Sequence, residues 1–206
     1  MDKIIILILI LFLCILCYTN LNKYLEHFLD NKTFIFIDSK QSSKVLQTVD
    51  TFGLYNELDK SVRGIARDEN ITVHYIKKLD DWSNHEVKTL NWLCKGIETK
   101  IPTEYRFLIK NINIAKYKEG VEMDFPHTNG STIFISQPFI NMIVKYYNNN
   151  DLNNCIHDIG SVIIHECVHI WQRREPNFFN KLFKKWNFTK YNKIINIKNF
   201  IDEIPS

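Results

Sequence analysis

Three things are scarce in this sequence: cysteine, arginine and net charge. Two of its five cysteines, Cys14 and Cys17, sit in an N-terminal apolar run, which leaves Cys94, Cys155 and Cys167 for the rest of the 206 residues. An odd number without regular spacing provides no disulfide framework. Arginine occurs only at 63, 67, 106, 173 and 174, while lysine, asparagine and isoleucine abound. That is a bias of coding rather than of physics, so a stretch such as NNNDLNN signals a loop and nothing more. The formal charge of +3 is too small a surplus to call for a nucleic-acid partner. No internal repeat is visible. With 45% apolar and 24% charged residues, the chain has the means for a folded core. Its length suits one domain plus an appendage.

The appendage is MDKIIILILILFLCILCYTN. Residues 4–18 are apolar with no polar face, which argues against a buried core helix. A bilayer span takes about 20 apolar residues. The run reaches that length if Lys3 snorkels and residues 19–21 lie at the interface. CYTN is a weak cleavage site, and no small residue precedes Cys14 or Cys17 as lipoprotein processing would require. The expectation is an uncleaved signal-anchor over 1–20, holding the chain to a membrane as a single-pass protein through residues 4–19. Lys3 and the α-amine set against Asp2 on one side, and Lys23 on the other, leave its orientation open.

Beyond it, residues 33–38 (TFIFID) are β-prone. Residues 40–66 read as helix with a break near Gly53. Residues 72–79 fit either period. Ser83 with Glu86 has the capping-box form, and Leu90, Leu93, Cys94 and Ile97 then mark the apolar face of a helix closed by Pro102. Residues 105–117 are β-prone and partly alternating, with Ile112 and Ile114 on one phase and Asn111 and Asn113 on the other; EGVEMDFPHTNG is a loop ending in the turn pair Asn129-Gly130, and STIFIS is a strand. Ser136 is placed to cap a helix across 138–147 that tolerates Pro138 in its first turn. Another helix begins near 155 and stops at Pro176. Asn177 can cap a last one, with Phe178, Phe179, Leu182, Phe183 and Trp186 inward. Lys181, Lys184 and Lys185 lie outward, a face read as solvated surface rather than a membrane site.

The chemistry lies in DIGSVIIHECVHIWQRREP, residues 158–176. On an α-helix, positions four apart differ by about 40° in direction. His165 and His169 therefore project side by side and can both ligate one Zn²⁺ at about 2.0–2.1 Å. Glu166 is turned about 100° from His165, beside the ion rather than on it. There it can serve as general base toward a zinc-bound water. Val162, Ile163 and Ile164 before the motif, Cys167 and Val168 within it, and Ile170 and Trp171 after it are all uncharged, as a buried central helix needs.

Residues 162–171, with His165-Glu166 and His169 at their centre, resemble the HExxH zinc metallopeptidases, the zincins. The longer run HECVHIWQRREP, after PHTNGSTIFIS, is similar to zinc peptidases of large DNA viruses and protists. The resemblance implies an α+β fold: a small twisted sheet packed on the central HExxH helix, helix-rich, as one domain over 21–206. Residues 21–100 form its mainly helical part, and residues 101–206 supply the sheet and active-site helix. It also implies a cleft edge strand, for which STIFIS is the candidate, and a peptide or protein substrate adding to it as a further strand. The implied activity is peptide hydrolysis with Glu166 as general base.

A catalytic zinc takes three protein ligands, and the third stays open. Glu175 has the metzincin spacing, although Gln172 stands where that group has glycine. Asp202 and Glu203 have the distance of the gluzincin pattern, which fits better. His127 and Asp158 are upstream alternatives. Asp158 is read foremost as a hydrogen-bond partner of a ligand histidine, and His127 equally as a substrate contact. The rival expectation is a membrane-anchored, zincin-derived binding or structural protein that lacks a third ligand.

Overall fold

Alternation along short apolar stretches sets up the architecture. The computed structural model of the chain describes residues 33–48 and 57–188. Phe34–Phe36 (β1), Leu79–Asp80 (β2), Ile112–Tyr117 (β3), His127–Asn129 (β4) and Thr132–Ser136 (β5) form one sheet. β3 runs parallel to both β1 and β5, with Ile114 in register with Phe36 and Ile133. β2 pairs antiparallel with the end of β3, and β4 pairs antiparallel with β5. Successive side chains of a strand leave on opposite faces, so β3 and β5 each feed two cores. Phe34, Ile112, Ile114, Ile133 and Ile135 enter one; Ile37, Ala115, Tyr117 and Phe134 enter the other. Burial on both faces is the usual state of parallel strands.

Helices cover both faces. Ser39–Thr48 (α1), Glu57–Val62 (α2) and Ile71–Lys78 (α3) precede Asn84–Lys100 (α4); Gln137–Asn148 (α5), Leu152–Cys155 (α6), Ser161–Arg174 (α7) and Pro176–Lys185 (α8) follow. α1 and α3 contribute Leu46, Ile71 and Tyr75 to the second core. Leu90, Leu93 and Ile97 of α4, Phe139, Ile140 and Ile143 of α5, and Ile163, Cys167 and Ile170 of α7 fill the first. The fold is α+β and helix-rich, with a small sheet and the HExxH helix packed on one face. The chain divides into two units, 1–171 and 172–206, and α8 lies in the second. The expected membrane span lies outside the described residues, among which no helix is long and apolar enough to cross a bilayer.

Several expectations on local structure need correcting. STIFIS is not the edge strand: β5 lies between β3 and β4, and every one of its residues is buried. The edge is β4, taken from what read as a loop. Gly130, at φ 58°, turns the chain back so that His127 pairs with Phe134 and Asn129 with Thr132. Thr103–Ile109 is a 3₁₀ helix rather than strand, with Tyr105 and Phe107 exposed, and alternation begins only at Ile112. Residues 72–78, open between two periods, belong to helix α3. Asn70 caps it by accepting from the Val73 N–H, and only Leu79 and Asp80 continue as strand. Asn177 is not a cap: Glu175 holds that position without a side-chain bond, and Pro176 opens α8. The capping box at Ser83 and Glu86 and the Ser136 cap on α5 are as read from the sequence.

Candidate metal centre

α7 follows directly from a π-helical stretch, Ile156–Gly160, which continues α6. No glycine or proline interrupts residues 161–174, and Pro176 lies just past the helix end. Ile163, Cys167 and Ile170 hold the helix to the first core. His165 is exposed and His169 half-buried on another side of the helix, while Glu166 between them is buried. Helical geometry alone places the histidines about 40° apart, and here their Nε2 atoms stand 3.0 Å from each other. The rings meet edge to face, centroids 4.5 Å apart at 88°. One ligand atom from each of His165, Glu166 and His169 falls within 4.8 Å of the others.

These residues fit a zinc ion. Two nitrogens at about 2.0–2.1 Å from a tetrahedral ion lie roughly 3.3 Å apart. The observed 3.0 Å therefore needs only a few tenths of an ångström of ring rotation. The donors are two imidazole nitrogens, ordinary zinc ligands, and the Glu166 carboxylate stands close beside them.

Among the described residues no other His, Cys, Asp or Glu joins this group. Glu175 stands exposed at the start of α8, in the second unit. Asp202 and Glu203 lie outside the described residues. Asp158 does not bond to either motif histidine: its carboxylate accepts from Tyr146 Oη at 2.5 Å and meets His157 Nδ1 at 2.8 Å. Those two bonds, His157 first, hold its pKa below the usual carboxylate range. It lies within the π-helical turn, whose wider winding breaks the helical register that would align it with His165.

His127 is engaged elsewhere, on β4. Its ring stacks on Tyr117 and Phe134 with centroids 5.6 Å away in both cases. Neither ring nitrogen has solvent contact or a well-formed hydrogen bond. Burial pushes its pKa below the ordinary histidine value, against the pull of the Glu122 carboxylate. Glu122 in turn accepts from Tyr75 Oη at 2.6 Å and from Arg63 Nε at 2.9 Å. Burial alone would raise the Glu122 pKa, but the Tyr75 and Arg63 bonds outweigh it and hold it low. Glu122, Met123 and Asp124 all have positive φ, between 50° and 65°, a conformation that non-glycine residues seldom adopt. The sequence gives no sign of this cluster, because Arg63, Tyr75, Tyr117, Glu122, His127 and Phe134 each come from a different element or turn.

The His165, Glu166 and His169 cluster is consistent with a zinc metalloendopeptidase centre. No family model, curated protein or solved structure matches the chain.

Proposed function

We propose that this chain is a membrane-anchored, zinc-dependent metallopeptidase. The observation that carries the reading is the convergence of His165, Glu166 and His169 on one helical turn, the two Nε2 atoms 3.0 Å apart. His165 and His169 would hold the ion, with a third ligand from Glu203, Asp202 or Glu175. Bound there, zinc supplies Lewis acidity, polarising the scissile carbonyl and easing deprotonation of the attacking water. Glu166 takes that proton on its carboxylate and passes it to the departing amine nitrogen. Glu166 is buried beside the histidines. The substrate is a peptide or protein. Anchoring through residues 4–19 is supported by the apolar run over 4–18, with Thr19 at the interface.

The test is zinc content and peptide hydrolysis of the full chain and of Glu166→Gln. The variant should keep its zinc and lose hydrolysis by about 10²–10⁴-fold, the usual worth of a general base. Retained hydrolysis would sink the assignment. A second reading, a zincin-derived binding or structural protein, draws on the lack of a further donor in the group among the described residues. Zinc absent from the purified chain would favour it.

A further inference from the structure

Helix α8 presents a two-sided surface. At about 100° per residue, Phe178, Leu182, Trp186, Phe179 and Phe183 occupy one arc of the helix and Lys184, Lys181 and Lys185 the other. An arc this apolar belongs inside a domain, yet only Phe179 is buried there. Phe178 is 49% exposed, Trp186 57% and Phe188, just past the helix, 68%. The helix end explains the last of these. Asn187 takes φ 61°, the Phe188 N–H donates to the Phe183 carbonyl at 2.9 Å and the Asn187 N–H to the Lys184 carbonyl at 3.1 Å. This is a Schellman termination. It folds Phe188 back so that its ring lies 6.2 Å from that of Phe183 and the aromatic surface runs on past the last turn. The three lysines are exposed, and residues 176–188 contain no acidic side chain.

We propose that α8 and the Asn187-Phe188 turn form a docking face for an anionic lipid bilayer. Trp and Phe are the side chains that settle at the boundary between headgroups and acyl chains. Lysines flanking such a face meet lipid phosphate and carboxylate groups, and each adds to the attraction of an anionic surface. Charge complementarity selects the occupant: the polar side is wholly basic and neutral, as a negative surface requires. This surface would lie in the plane of the membrane, not across it, since α8 has only 10 residues and a span takes about 20. The inference does not depend on the metal centre.

The test uses the full chain and follows Trp186 alone. Quenching by brominated acyl chains is measured for the chain and for Trp186→Phe, and the difference is the signal of Trp186. Vesicles are of phosphatidylcholine, or of phosphatidylcholine and phosphatidylserine in equal parts. The expected result is quenching of Trp186 with phosphatidylserine and little without it. Raising salt should reverse the quenching, and Lys181→Glu/Lys184→Glu/Lys185→Glu should weaken it by about a hundred-fold in apparent affinity. Helix content by circular dichroism checks that the triple variant is folded. Trp186 unquenched in both vesicles overturns the proposal and points to a protein partner or the chain itself as cover. Equal quenching in both, unmoved by the lysine changes, overturns the electrostatic basis. Residues 4–19 are the same in every arm, so an anchor there cannot generate the difference.

Discussion

Lys116 Nζ sits 3.0 Å from Glu86 Oε1, a cation on β3 and a carboxylate on α4, both almost wholly withdrawn from water. Glu86 also closes the capping box, accepting from the Ser83 N–H at 2.8 Å. One side chain thus starts the helix and ties it to the sheet. The two roles separate by mutation. Ser83→Ala removes a cap and should cost about 1 kcal/mol. Glu86→Gln leaves a buried ammonium short of its partner, a change that costs roughly 3–5 kcal/mol. Asp80, also 3.0 Å from Lys116, should keep the loss near the lower figure. Urea unfolding of both variants measures the difference; equal losses would mean that capping is all Glu86 does.

His127 predicts a pH dependence. Its folded pKa is depressed below the ordinary histidine value of 6.5, chiefly by burial among rings. Below about pH 6.5 the unfolded chain binds a proton that the folded chain resists. The contribution of His127 to stability is therefore complete above that pH and is lost as pH falls through the folded pKa. Melting temperature should drop on acidification through this window. His127→Phe keeps the stack on Tyr117 and Phe134, removes two buried nitrogens and should flatten the drop. Removing the two buried nitrogens should also raise stability at neutral pH by about 1–3 kcal/mol, the cost of an unsatisfied buried polar group. An unchanged acid limb would show that other groups govern it.

The parts of the fold legible in the sequence are those set by near neighbours. Ser83 with Glu86, Ser136 with Pro138, and His165 with His169 are each fixed within one helical turn, and each stands where its spacing puts it. What depended on distant partners was not legible. Whether STIFIS lies at the edge or the centre is decided by β4, and β4 exists because Gly130 turns His127 back onto Phe134. The alternation of 105–117 is real only after Asn111, where β1 and β5 supply partners for β3. The sequence pattern of α8 sets its aromatic arc inward, but pattern does not say whether a surface exists to receive it. The left-handed turn 122–124 is held by Arg63, Tyr75 and Ser136, none of them its neighbours in sequence.

Gly96 gives a smaller test of packing. A Cβ there would lie 2.7 Å from Leu152 Cδ1 and 2.9 Å from Ile156 Cδ1. Both atoms end flexible, half-buried side chains, so they can yield at a cost near the low end of the usual 1–3 kcal/mol for overpacking. Alanine in a helix interior recovers about 1 kcal/mol over glycine. Gly96→Ala should therefore be close to neutral, whereas Gly96→Leu should lose at least about 2 kcal/mol. Chemical denaturation of the two variants checks the contrast.

The third ligand is open to direct measurement, because each candidate can be removed without touching the helix. Replacing His165 or His169 by alanine should lower zinc affinity by more than about a hundred-fold, the upper range for losing even an outer-shell partner. Glu166→Gln should not, if its carboxylate handles protons rather than the ion. Among the remaining three, the gluzincin pattern expects Glu203→Gln or Asp202→Asn to weaken zinc as strongly as a histidine change, and Glu175→Gln to leave it unaltered. The reverse result would assign the metzincin spacing in spite of Gln172. Zinc affinity unmoved by all three substitutions would leave the ion with two protein ligands, and the chain would then be a zincin-derived protein that binds metal without the closed donor set catalysis uses. Competition with a chromogenic chelator reads every arm on the same scale, independently of any substrate.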